Sequence, residues 1–156
     1  MTKRKAIVVA AIGVAAAAVF GVTALATTGS GVTPTDTAKG TLAGHVQVNA
    51  DRIKFQTKGD TDIVVQKITY TPGGFSGWHT HPGFVLGLVE SGAITIQVGC
   101  STNTYSAGQA FYESGTDPIM ARNLTAGPTV IRATFIVPKG VATRRDVPTS
   151  QIPDCD

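Results

Sequence analysis

The chain has 156 residues, 42% of them hydrophobic and 15% charged, with a formal net charge of +3. That length suits one domain with appendages, and the charge content lies well below the ~25% usual for a soluble domain. Lys3, Arg4 and Lys5 carry the whole excess: without them the 13 basic residues fall to 10, equal to the 10 acidic ones, so charge gives no case for nucleic acid or an acidic lipid surface as a partner.

Behind the basic start, Ala6 to Ala26 has no charged residue and ends in Ala24-Leu25-Ala26. A basic head, an apolar run and a small-x-small ending read as a secretory signal peptide over residues 1–26, cleaved after Ala26. About 20 apolar residues also suffice to span a bilayer, so an uncleaved membrane anchor is the alternative, and the membrane is then met only through residues 6–26. Either way the basic residues stay cytoplasmic and residues 27 onward cross. The expected location is secreted, or membrane-anchored outside the cytoplasm. The two cysteines, Cys100 and Cys155, are expected to pair as a disulfide in an exported chain, which would fasten the C-terminal tail to the domain.

Residues 27–41 are rich in Thr, Gly, Ser and Pro without apolar period, and read as a flexible linker. Short strands follow. His45 to Val48 and Ile53 to Gln56 alternate apolar and polar residues, and Lys58-Gly59-Asp60 turns. Ile63 to Thr71 is a longer strand closed by Pro72-Gly73-Gly74. After a histidine-bearing strand come Val85 to Glu90, a turn at Ser91-Gly92, and Ile94 to Val98. Cys100 to Asn103 reads as a loop. Ala110-Phe111-Tyr112 begins the next strand, Ile119 to Asn123 continues, and Thr129 to Pro138 is the last long one. The tail, 139–156, reads as irregular, with Arg144-Arg145 a solvated feature. No segment after Ala26 has helical periodicity. Many short strands with closely spaced turns predict an all-β sandwich or barrel over residues 42–138. Ile63, Val65, Ile68, Leu86, Leu88, Ile94, Ile96, Phe111, Ile131, Phe135 and Val137 are the candidate core.

The chemistry gathers in Gly73 to Gly92. His79 and His81, two residues apart on a strand, project to one face, with Trp78 and Thr80 on the other. The run Gly73…His79-Thr80-His81…Gly92 resembles the first motif of the cupin family, Gly-x5-His-x-His-x(3-4)-Glu-x6-Gly. Gly108 and Asn123 fit the two ends of the second, Gly-x5-Pro-x-Gly-x2-His-x3-Asn. The resemblance covers residues 45 to 138 and implies a cupin jelly-roll β-barrel, with pairing into homodimers an expectation of the same kind. Metal-holding cupins use the two histidines and glutamate of motif one and the histidine of motif two. Here those last two positions are Val85 and Ile119, and the proline and glycine of motif two are Ser114 and Thr116, so only His79 and His81 remain.

Two imidazoles suit one divalent transition metal (zinc, iron, manganese, nickel or copper), which usually needs a third protein ligand. Asp117 is the first candidate for it, two residues before Ile119. Glu113, Gln97 and Tyr112 rank behind it, and His45 would serve only if the first strand folds over the mouth. The leading expectation is an exported cupin with a degenerate metal centre, binding a small molecule through His79, His81, Gln97, Tyr112 and Asn123. Val85 and Ile119 make such a pocket more apolar, which suits an uncharged or partly hydrophobic ligand. A metal-dependent enzyme of the dioxygenase or isomerase sort is the alternative that the family implies. A structural barrel without a ligand is the third.

Overall fold

The computed structural model describes residues 26–155; the expected signal or anchor segment, apart from Ala26, lies outside them. Twelve strands follow in order: β1 (Ser30–Leu42), β2 (Gln47–Ala50), β3 (Ile53–Gln56), β4 (Thr61–Phe75), β5 (His79–Thr80), β6 (Phe84–Ser91), β7 (Ala93–Val98), β8 (Ser101–Ser106), β9 (Ala110–Ser114), β10 (Ile119–Arg122), β11 (Thr129–Pro138) and β12 (Arg145–Asp146), with one 3-10 turn at Thr149–Gln151. Ten of them join one antiparallel sheet, with β2 and β3 a separate hairpin. The sheet curls into the expected all-β jelly-roll barrel.

Alternation along the strands fills the interior. Val85 and Val89 of β6, Phe111 of β9, Ile131, Ala133, Phe135 and Val137 of β11, Val64, Ile68 and Tyr70 of β4, and Ile94, Ile96, Ile119 and Ala121 form one buried cluster. Burying such side chains stabilises by about 1.5–3 kcal/mol each. Leu86 and Leu88 do not join it. They stand 47% and 45% exposed on the outer face, because β6 is apolar on both faces and period-two reading cannot choose between them. The inward position between them is Gly87, opposite Phe111 on β9. A Cβ at Gly87 would collide with the Phe111 ring, so the missing side chain is what lets that ring lie across the barrel.

Three segments that read as irregular are structured. The expected linker contains β1, which pairs with β4 from Ser30↔Phe75 to Leu42↔Thr61. An edge strand exposed along nearly its whole length needs no apolar period, since its backbone ladder holds it. At its end Thr41 Oγ1 donates to Asp62 Oδ1 at 2.7 Å, and Lys39 Nζ lies 3.1 Å from Asp62 Oδ2. The expected loop after Cys100 is β8, paired with β7. The tail folds back: β12 pairs with β5, and Val147 is buried against Trp78 and Met120 in a second apolar cluster. Cys100 and Cys155 form the expected disulfide, with Cα atoms 5.4 Å apart.

Candidate metal centre

The Gly73–Gly77 corner aims the histidines. Gly77 has φ +71°, with Thr27 O where a Cβ would sit, so only glycine fits this turn. The two-residue strand β5 then lies between β10 and β12, with His79 opposite Ile119 on one side and Asp146 on the other. His79 and His81 share the inward face, their rings edge to face with centroids 4.8 Å apart.

The third group comes from across the sheet. Glu113 on β9 is the register partner of Val85 on β6, so its carboxylate occupies the inward site beside the position where the cupin motif carries glutamate. His79 Nε2 and His81 Nε2 are 3.1 Å apart, and His81 Nε2 is 3.1 Å from Glu113 Oε2. The three ligand atoms lie within 4.8 Å of one another, and all three residues are buried.

Hydrogen bonding fixes which nitrogens face inward. His79 Nδ1 donates to Gly77 O at 2.9 Å, and His81 Nδ1 donates to Thr143 O at 2.7 Å. A carbonyl can only accept, so each Nδ1 carries the proton and each Nε2 of a neutral ring presents a lone pair. Burial, then the Arg144 charge, pulls the His79 pKa down to about 4, against the opposing Gly77 hydrogen bond. His79 is therefore neutral at pH 7. With both rings in this neutral form, two imidazole lone pairs and a carboxylate oxygen converge on one point. Donors about 2.1 Å from one ion stand roughly 3.0–3.4 Å apart; the two 3.1 Å spacings match, while the three atoms together span up to 4.8 Å, so His79 and Glu113 would draw closer around an ion. Nitrogen and carboxylate donors, with Gly77 O and Thr143 O holding the outer nitrogens of the two rings, fit a divalent transition metal.

The triad lines a cavity of about 210 Å³. Its wall is mainly apolar, with Val32, Ile68, Val85, Phe111, Ile131, Ala133 and Phe135, and takes polar groups from Tyr70, Ser76, Thr143 and Arg144. Arg144, expected as a solvated tail residue, donates to Ser76 O from both Nη atoms at 3.1 Å and pairs with Asp146. Tyr70 is 4% exposed. Burial, and next the Glu113 charge, push its phenol pKa upward, against a smaller effect of Arg144.

Of the residues picked out in the sequence, His79, His81 and the lower-ranked Glu113 meet here and five others do not. Asp117 is exposed in the loop between β9 and β10, because the chain bends over Gly115 to Asp117 instead of running extended. Tyr112 is 69% exposed, on the opposite face of β9 from Glu113. Gln97 donates to Gly99 O beside the disulfide. Asn123 is fully buried but spends its side chain on backbone: Nδ2 donates to Tyr70 O, Thr71 O and Gly127 O, and Oδ1 accepts from the N–H and hydroxyl of Thr125. His45 lies near Gln56, outside the barrel. Thr143, Arg144 and Tyr70 carried no chemical signal in the sequence. Glu113 did, as an acid alternating with Phe111, but its facing residue was unknown.

A family model described as "Cupin domain" matches residues 66–138. No curated protein matches the chain. Among solved structures, the chain is similar to an uncharacterised protein with a double-stranded β-helix domain from Klebsiella pneumoniae, at 20% identity and TM-score 0.48, covering 55% of this chain and 74% of that one. It is also similar to the cupin domain of an XRE-family transcriptional regulator from Enterobacter cloacae, at 20% identity and TM-score 0.42 over 48% of this chain and 80% of that one. A third is an oxalate oxidase in complex with glycolate, at 17% identity and TM-score 0.43 over 46% of this chain and 40% of that one. The matched stretch, the two histidine-motif glycines and the jelly-roll barrel agree: residues 66–138 are a cupin domain.

Proposed function

We propose that this protein is an exported, metal-dependent cupin in which His79 Nε2, His81 Nε2 and Glu113 Oε2 hold one divalent transition metal at the foot of a small, mainly apolar cavity. The observation that carries the proposal is the convergence of two histidine Nε2 atoms and a carboxylate oxygen, with each histidine Nδ1 turned away onto a backbone carbonyl. Two histidines and a carboxylate with further positions open form the ligand set of non-haem iron oxygenases and of some catalytic zinc sites. Such an ion supplies Lewis acidity or redox chemistry to a bound substrate. The protein's own part is to hold both rings through Gly77 and Thr143, to exclude water with the apolar wall, and to bind the substrate's organic portion there. Export is supported by the basic and apolar start of the chain and by the Cys100–Cys155 disulfide, since such bonds persist in oxidising compartments.

The test is elemental analysis of the purified protein beside Glu113→Gln and His79→Ala/His81→Ala. About one metal per chain is expected in the wild type, with near-complete loss in the double histidine variant. The competing reading is a metal-free binding cupin, in which a proton on His81 Nε2 satisfies His79 and Glu113 instead. Absence of metal after incubation with zinc, iron, manganese, nickel and copper would establish that reading and end the metal proposal.

A further inference from the structure

Tyr70 differs from Ser76, Arg144 and Gln66 on the cavity wall. Ser76 Oγ accepts from the Ala121 N–H and donates to Gly77 O. Arg144 is engaged by Ser76 O and Asp146, and Gln66 donates to Asp36. Asn123 binds only the backbone carbonyl of Tyr70, and no described residue bonds its hydroxyl. That hydroxyl is not sealed in either, because no fully enclosed side-chain polar atom lacks a partner among the described residues. A side chain 4% exposed, with an unpartnered O–H and a place on the cavity wall, directs that O–H into the cavity. A buried hydroxyl without a partner costs free energy that a bound acceptor would return.

The geometry points to Tyr70 Oη–H as the hydrogen-bond donor to the bound ligand, and to a small monocarboxylic acid with a short aliphatic tail as the class of ligand. This rests on the metal-centre reading above. A divalent ion beside Glu113 leaves one positive charge, while Arg144 is balanced by Asp146, so a monoanion brings the cavity to neutrality. Its carboxylate would balance the charge of the centre, and an oxygen of the ligand would accept from Tyr70. The tail would lie against Ile68, Phe111 and Phe135. The volume of about 210 Å³ matches about seven waters at ~30 Å³ each, and hence a ligand of about that many heavy atoms.

The test uses 3-methyl-2-oxobutanoate as probe on the full chain, as isolated and after loading with Co²⁺, comparing wild type with Tyr70→Phe by calorimetry. Loss of one good ligand hydrogen bond corresponds to about tenfold weaker probe binding. Co²⁺ stoichiometry and melting temperature should stay as in the wild type, because the hydroxyl holds nothing in the protein. A drop in melting temperature would instead mark Tyr70 as structural. Equal probe affinity in the two proteins overturns the role of Tyr70. Failure of the wild type to bind the probe with or without metal, or equal binding of 3-methylbutan-2-one, overturns the ligand class. Failure to bind Co²⁺ while the probe still distinguishes the variants would retire the metal centre and leave Tyr70 as the donor.

Discussion

Val85 and Glu113 face each other across the β6–β9 ladder, and between them they exchange the residue types that the cupin motif leads one to expect. To an ion in the barrel the two positions are nearly equivalent, since opposed Cβ atoms stand only about 4.5–5.5 Å apart. Glu113→Val should therefore weaken metal binding by well over tenfold, and the double change Val85→Glu/Glu113→Val should recover much of it. Competition titration with a chromophoric chelator reads both. Wild-type affinity in Glu113→Val would remove the carboxylate from the ligand set.

The buried, neutral state of His79 makes the metal-free protein acid-sensitive. Its folded pKa of about 4 lies below the ordinary imidazole value of 6.5. Between those values the unfolded chain binds more protons, so stability is fully present above about pH 6.5 and is lost as pH falls toward 4. The shift corresponds to about 3 kcal/mol. Urea unfolding in chelator at pH 7 and pH 4 should show this loss, and His79→Gln should flatten it. A wild-type curve that is level over that range would contradict the buried neutral imidazole.

Asn123 should behave as a structural residue. Asn123→Ala strips a partner from one buried and two part-buried carbonyls and from Thr125, and a cost of roughly 1–3 kcal/mol is expected from such unsatisfied groups. Chemical denaturation measures it. Metal stoichiometry of the folded fraction should not change. If stability holds and metal is lost, Asn123 acts at the centre after all.

The tail is part of the site, so severing it should reach the histidines. Cysteine-to-serine changes at both Cys100 and Cys155, whose bond closes a loop of 55 residues, are expected to cost up to about 4 kcal/mol through the freed unfolded chain. They should also weaken metal binding several-fold, as the Thr143 carbonyl on His81 loses its anchorage. Unfolding and metal titration of the double variant test the two effects separately. Unchanged metal affinity would show that β12 and Val147 hold the wall unaided.

The barrel was legible because its evidence is local. Strand alternation, turn glycines and the spacing of Gly73, His79, His81 and Gly92 lie within short windows, and they placed the fold and two of the three ligand groups. What escaped depends on register. Nothing within Ala110–Ser114 says that Glu113 lies opposite Val85, so Asp117 looked better placed through its distance from Ile119. Leu86 and Leu88 entered the expected core for the same reason, on a strand whose two faces are both apolar. The polar β1 and the proline-rich tail gave no pattern because one is held by backbone pairing at an edge and the other by a disulfide and a single buried patch. Arg144 and Thr143 reach the cavity only as a result of that return.

Fastened to β11 at one end and to Cys100 at the other, the tail is a loop instead of a free end. When its middle lifts from the barrel it cannot diffuse away, and its return is an encounter at millimolar-order effective concentration. The wall that carries Thr143 and Arg144 is thus self-restoring. A molecule passing that way displaces a hinged panel, and the carbonyl that orients His81 is handed back once the panel closes.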